Sequence, residues 1–112
     1  MRFEGRGERL TIYVGESDHY GSTPLYAEIV ARARRSGLAG ATVLRGQEGF
    51  GAASVVHEAG SFRLSADLPM VVVVLDQPDK IEAFLPQLAE LVGEGLVVRQ
   101  VVDILVYQDD ER

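Results

Sequence analysis

The chain has 112 residues, the length of about one domain, and 46% of them are hydrophobic, which is enough for one core and leaves no room for a second. A formal net charge of −6 and a pI near 4.8 argue against DNA or RNA as a partner, because phosphate-backbone binding needs clustered Lys and Arg that release counterions. The absence of cysteine excludes a disulfide frame and any thiolate metal site.

The first residues, MRFEGRGERL, lack the apolar stretch of a secretion signal. The longest uninterrupted apolar run, Leu68 to Leu75, is far shorter than the roughly 18 residues of a membrane span. The expected protein is soluble and resides in a cytoplasm of bacterial type.

In chain order, RLTIYV at 9–14 sets Leu10, Ile12 and Val14 against Arg9, Thr11 and Tyr13, the period-two pattern of a strand with one face in the core. After the polar stretch GESDHYGS, Thr23 is the expected cap of a helix and Pro24 its first residue, where proline's fixed φ fits and its missing N–H costs nothing. Leu25, Ile29 and Ala33, flanked by Tyr26 and Val30, form the predicted buried face, and Gly37 the left-handed stop.

ATVLRG, from Ala41, predicts a second, short strand. The run Met70 to Leu75 is β-branched on both faces, so this third strand is expected to be covered on both sides. Pro78 then opens a second amphipathic helix bearing Ile81, Phe84, Leu85, Leu88, Leu91 and Val92, with Pro86 expected to kink it near Glu82. Leu96 to Tyr107 alternates again and is expected to be the longest strand.

The order β-α-β-β-α-β is that of an α+β, ferredoxin-like sandwich, with two helices on one face of a four-stranded antiparallel sheet. Its helix-free face is predicted to carry Thr11, Tyr13, two of the four valines at 71–74, Val101 and Leu105. A face this apolar needs a cover, and the polar tail QDDER cannot supply it, so a homo-oligomer is expected.

The unusual feature is the connection between the second and third strands. About 23 residues, Gly46 to Leu68, stand where a hairpin usually needs two to five. Long loops of this kind tend to carry function. Glycines at 46, 49, 51 and 60 permit positive φ or close approach of backbone N–H groups to an anion. G-x-x-G-x-G is not followed by a capped helix or by a Lys-Ser or Lys-Thr pair, so neither a dinucleotide cradle nor a P-loop fits.

Arg45 and Arg63 flank the loop and have the forked donors that hold a phosphate or carboxylate, or that pair with the surplus acids of the chain. His57 with Glu58 or Asp67 has the residue types of general acid/base chemistry, without an obvious nucleophile in register. Glu16, Asp18 and His19 have the donor types of a metal site, and a polar turn explains the same letters. Phe50, between two glycines, is placed to stack on a planar ligand, anchor a partner or fold onto its own oligomer. Ser65 and Asp67 lie at the base of the loop, and Pro69 suits the first residue of a strand.

The stretches YVGESD, PLYAEIVARARRSGLAGATVLRGQEGFG and LSADLPMVVVVLD, followed by a helix and GLVVRQVVDILVY, resemble the PII-like family known as domain of unknown function 190. The resemblance covers about residues 8–107, and GLAGATVLRGQEGFG joined to SADLP is its most specific part. It implies a homotrimer with three sheets lining the centre, in signal transduction rather than catalysis. In PII proteins the loop contacts regulated partners, often membrane transporters or enzymes, and adenine nucleotides bind in clefts between subunits near its base.

By that similarity Arg45, Gly46, Gly49 and Gly51 lie at such a cleft, and Phe50, His57, Arg63, Ser65 and Asp67 complete the candidate ligand-binding set. The chain departs from PII proteins before the last strand, where VGEGLVV carries only Glu94 instead of a basic, glycine-rich turn. That departure weighs against an adenine nucleotide as effector. The loop has no tyrosine to be uridylylated.

Overall fold

A computed structural model describes residues 2–49, 68–93 and 95–108. Among these residues six strands and two helices follow one another as β1 (Arg2–Gly15), β2 (His19–Tyr20), β3 (Thr23–Pro24), α1 (Leu25–Arg35), β4 (Gly40–Arg45), β5 (Pro69–Asp76), α2 (Pro78–Leu91) and β6 (Leu96–Gln108). β4, β5, β1 and β6 form, in that order, one antiparallel sheet, and β2 and β3 make a two-residue ladder of their own. The ferredoxin-like α+β architecture is therefore present, with the small ladder inserted in the polar stretch after β1.

The core lies between the sheet and the helices. Leu10, Ile12 and Val14 of β1 and Met70, Val72 and Val74 of β5 are buried against Leu25, Ile29 and Ala33 of α1 and Ile81, Phe84, Leu88 and Leu91 of α2. Each set has the period of its own element, two for the strands and three to four for the helices, which is why one side of each can be dry. Pro86 lies inside α2 without ending it, and Gly37, at φ 77°, closes α1 as expected.

Four expectations need correction. The α1 N-cap is Pro24, not Thr23, and no side chain caps it; Thr23 pairs with Tyr20, and the Leu25 N–H donates to the Asp18 carbonyl at 2.8 Å. β1 begins at Arg2 instead of Arg9, because Gly5 and Gly7 let a polar segment pair with the far end of β6. At 14 residues against 13, β1 rather than β6 is the longest strand.

The fourth concerns the open face of the sheet. Ile12 pairs with Val97, Leu10 with Arg99 and Glu8 with Val101, so Val101 belongs to the side that carries the helices; Leu105 alternates with Ile104 and shares that side. The open face is instead made of Thr42 and Leu44, Val71, Val73 and Leu75, Arg9, Thr11 and Tyr13, and Leu96, Val98, Gln100 and Val102. It is largely apolar but is crossed by Arg9 donating to Gln100 Oε1 at 3.0 Å, and Leu44, Leu75 and Leu96 are exposed on it.

At the end of the sheet where β5 stops, two carboxylates face each other across the ladder, Glu8 and Asp76, only 6% and 1% exposed. Asp76 accepts from the Gln77 N–H at 2.6 Å and the Ala39 N–H at 2.9 Å, fastening the start of β4 to the start of α2. Glu8 receives Arg99 at 2.7 Å, and the same guanidinium reaches Glu82 of α2 at 2.9 Å. These bonds, that to Glu8 first, hold the Arg99 pKa above its ordinary value. Beyond this point β1 and β6 continue as a two-stranded ribbon, and its Tyr107 hydroxyl donates to the Ala39 carbonyl at 3.3 Å.

Candidate functional site at the base of the long loop

The loop leaves from the end of β4 and returns at the start of β5, and both ladders of β5 are extended there by one bond. The Gly46 N–H donates to the Pro69 carbonyl and the Glu16 N–H to the Leu68 carbonyl, each at 2.8 Å. Pro69 is the first residue of β5, where its missing donor leaves no ladder bond unmade. Gly46 and Gly49 lie on the Pro69 ring; a Cβ at Gly46 would come within 2.6 Å of Pro69 Cγ, and one at Gly49 within 3.2 Å. Close approach, rather than positive φ, is what glycine supplies at these two positions.

Arg45 pairs in register with the buried Met70, so its side chain leaves on the helix-bearing side. It reaches past the start of β5 to Glu16, Nη2 to Oε2 2.5 Å, while remaining 57% exposed. A guanidinium has five N–H donors, so one carboxylate contact at an exposed position leaves donors for a second anion.

The segment after β1 is held from both sides. Asp18 Oδ2 accepts from the Gly15 N–H at 2.8 Å, and the Asp18 N–H returns to the Gly15 carbonyl at 3.2 Å. His19 Nδ1 lies 2.6 Å from the Ser17 carbonyl. Tyr20 stacks under the Arg32 guanidinium, 5.5 Å from ring centroid to Cζ, and Arg32 is itself fixed by Glu28 at 3.0 Å. Glu16, Asp18 and His19 thus point to three different partners, and among the described residues no group of three or more His, Cys, Asp or Glu side chains is placed to hold a metal.

Of the candidate ligand-binding residues, the structure brings together Arg45, Gly46 and Gly49 around Pro69. Phe50, Gly51, His57, Arg63, Ser65 and Asp67 lie outside the described residues, as do Glu58 and Glu94. Sequence reasoning missed the role of Glu16, which faces Arg45 as its partner rather than joining Asp18 and His19. The signal was its parity: Glu16 continues the even-numbered series of Ile12 and Val14 to the helix side, where the odd-numbered series of Ala41 and Val43 also brings Arg45.

A four-stranded antiparallel sheet with two helices on one face is the ferredoxin-like arrangement, and PII-like folds share it. The chain is similar to the apo form of CPII from Thiomonas intermedia K12, a nitrogen regulatory PII-like protein, with a TM-score of 0.53 at 15% identity over 93% of this chain and 97% of that one, a likeness of fold.

The family follows from the sequence match. The model of domain of unknown function 190, described as uncharacterized ACR, matches residues 7–104, and the chain belongs to that family. It is 33% identical to a UPF0166 protein of Aquifex aeolicus over 98 residues, 86% of this chain and 90% of that protein. It is 34% identical to a UPF0166 protein of Methanocaldococcus jannaschii over 102 residues, 90% and 92% of the two chains. The resemblance read from YVGESD through GLVVRQVVDILVY is thereby borne out. Among the described residues no helix is long and apolar enough to cross a membrane.

Proposed function

We propose that this protein is a PII-like regulator, a homotrimer that senses a small anionic metabolite or nucleotide in clefts between subunits and acts on a partner protein through residues 46–67. The observation that carries the reading is Arg45: an exposed guanidinium fixed at the end of β4, at the point where both ladders of β5 converge on the loop base. A cation on a rigid strand, beside glycine backbone at a loop base, is a suitable anchor for an anion whose binding reorders the loop. The apolar open face supports the trimer, since three such faces turned inward cover one another.

This reading is non-enzymatic, intracellular and regulatory, with a membrane transporter among the fitting partners and an adenine nucleotide among the effectors to be tried. A second reading, an adaptor trimer with no small ligand, is favoured by one observation, that Glu16 already pairs with Arg45. Native mass spectrometry decides between them, run on the protein alone and with adenine nucleotides, cyclic nucleotides and small carboxylates. The regulator predicts assemblies built of three-chain units that gain up to one ligand per chain, with the gain lost in Arg45→Ala. Three-chain units that stay bare with every compound give the adaptor, and the absence of any three-chain unit overturns both.

A further inference from the structure

Among the strand residues that make the open face of the sheet, one is charged. Arg9 stands midway along β1, an inner strand, with Leu75 opposite it on β5 and Gln100 opposite it on β6, and Gln100 is flanked on the same face by Val98 and Val102. None of the strand residues of this face is an Asp or a Glu. Among the described residues Arg9 has two hydrogen bonds to one acceptor: Nε and Nη2 donate to Gln100 Oε1 at 3.3 and 3.0 Å. The neighbouring carboxylates, Glu8 and Asp76, lie on the helix side of the sheet and are taken by Arg99 and by backbone N–H groups. In a chain with 17 acidic residues and 11 basic ones, this face has the opposite balance.

The pairing also fixes which way Gln100 points. A guanidinium only donates, so the Gln100 oxygen is turned to Arg9 and its NH2 group away from it. Two of the five guanidinium N–H groups are used and three remain. The pair therefore presents unused donors, one positive charge and no carboxylate.

Covering this face with copies of the chain, as the trimer proposed above requires, takes the guanidinium out of water while it stays charged. A three-fold axis gives every face the same residues, so the neighbouring faces bring two further Arg9 side chains and no acid to meet them. A buried cation without a counter-charge opposes such a contact, and an anion held among the three removes that opposition.

We propose that Arg9 and Gln100 of three subunits form a single binding site for a small inorganic oxyanion of the sulfate or phosphate class, on the three-fold axis at the centre of the assembly. The site rests on the trimer reading and is separate from the clefts at the loop base. It lies at the middle of β1, whereas the loop base lies at the end of that strand, where Gly15 faces Pro69. It also takes one ion per three chains, where the clefts take up to one ligand per chain. A tetrahedral oxyanion has three-fold axes of its own and so offers each subunit the same oxygens, and apolar neighbours such as Leu75, Val98 and Val102 strengthen charge-assisted hydrogen bonds by lowering the local dielectric.

Native mass spectrometry of the full chain, with and without ammonium sulfate or ammonium phosphate, counts the ions. The expected result is one sulfate or phosphate per three-chain unit of the wild type and none in Arg9→Met, whose neutral side chain suits the apolar face and leaves three chains together. Gln100→Glu places a carboxylate beside Arg9 and is expected to lose the ion in the same way with the assembly intact, so the result does not depend on one variant folding. Sulfate stabilises folded proteins generally, so thermal unfolding at constant ionic strength is read as a difference: on replacing chloride by sulfate, the wild type should gain more in melting temperature than either variant.

Three-chain units that carry no ion, or that carry it equally in Arg9→Met, overturn the site and leave the trimer standing. Three chains in the wild type but single chains in Arg9→Met, with no ion in either, mean that Arg9 meets a carboxylate of a neighbouring copy, and overturn the site as well. A wild type without three-chain units removes the trimer and this site with it.

Discussion

The two ends of the sheet handle charge in opposite ways. Where β5 stops, Glu8 and Asp76 are buried against fixed donors: two backbone N–H groups for Asp76 and the Arg99 guanidinium for Glu8. Where β5 starts, Arg45 and Glu16 pair in the open, on a chain end shaped by glycine and proline. A buried carboxylate must be satisfied or it unfolds the protein, so the first end is committed to holding the fold. An exposed ion pair contributes little to stability and can exchange partners, so the second end is the one free to serve a ligand.

The sharpest way to break this contrast is at Asp76. Asp76→Ala removes the acceptor of both the Ala39 and Gln77 N–H groups and unties β4 from the start of α2. The expected cost is about 2–3 kcal/mol in urea unfolding, the range for stranding buried donors that water reaches only in part. Asp76→Asn should recover a fraction of it, since one amide oxygen can serve only one of the two directions. A loss below about 0.5 kcal/mol in both variants, the low end for a single hydrogen bond, would show that this end does not hold the fold.

Arg99→Met tests the same end through its counter-charge; it strands the buried Glu8 carboxylate, while the exposed Glu82 keeps its water, so it should lower the melting temperature by an amount comparable to Asp76→Ala. The arginine's folded pKa is raised by Glu8 and Glu82, so its contribution is fully present below the unfolded value and is lost only as pH rises through the higher folded one. Between about pH 6 and pH 9 the difference between variant and wild type should therefore be flat with respect to arginine ionisation. A difference that shrinks steadily as pH rises across that window would contradict the assignment.

At the loop end, Gly46→Ala is the largest expected perturbation. The new Cβ meets Pro69 Cγ at 2.6 Å and the Pro69 carbonyl oxygen at 3.2 Å, and a proline ring at a strand start has little room to yield. A cost of about 1–2 kcal/mol is expected, typical of overpacking at a tight contact. Gly49→Ala, with its nearest contact at 3.2 Å to the same ring, should cost less. Equal costs at the two positions would mean that the Pro69 ring is not what sets them.

Much of this was legible in the sequence, and what was not has specific causes. The core strands and helices show a single period each, so Leu10, Ile12 and Val14 or Ile81, Phe84 and Leu88 declare their faces. β6 does not, because Val97, Val101 and Leu105 on one side are as apolar as Val98, Val102 and Ile104 on the other; only its register with β1 says which side meets the helices. The first half of β1, RFEGRGER, has no apolar series, and its strand comes from pairing with β6. Glu8 was the one readable sign there, a carboxylate in the even series of the buried residues. At the loop base, Arg45 and the glycines are candidates by residue type alone, whereas Glu16 as the partner of Arg45 depends on three strands meeting at one point.

The smallest expected effect is the most informative about the loop end. Arg45→Ala and Glu16→Ala should each change stability by less than about 0.5 kcal/mol, and the double variant should differ from their sum by no more than about that, as for exposed ion pairs generally. Their effects on ligand binding should differ in sign. Removing Glu16 frees the guanidinium and takes away a negative charge, so an anion should bind more tightly to Glu16→Ala than to the wild type, whereas Arg45→Ala should lose it. Isothermal titration with whichever anion native mass spectrometry identifies reads both at once. Opposite shifts would establish Glu16 as a competitor for the ligand's place on Arg45, and parallel losses would mean that the two residues act as one structural pair.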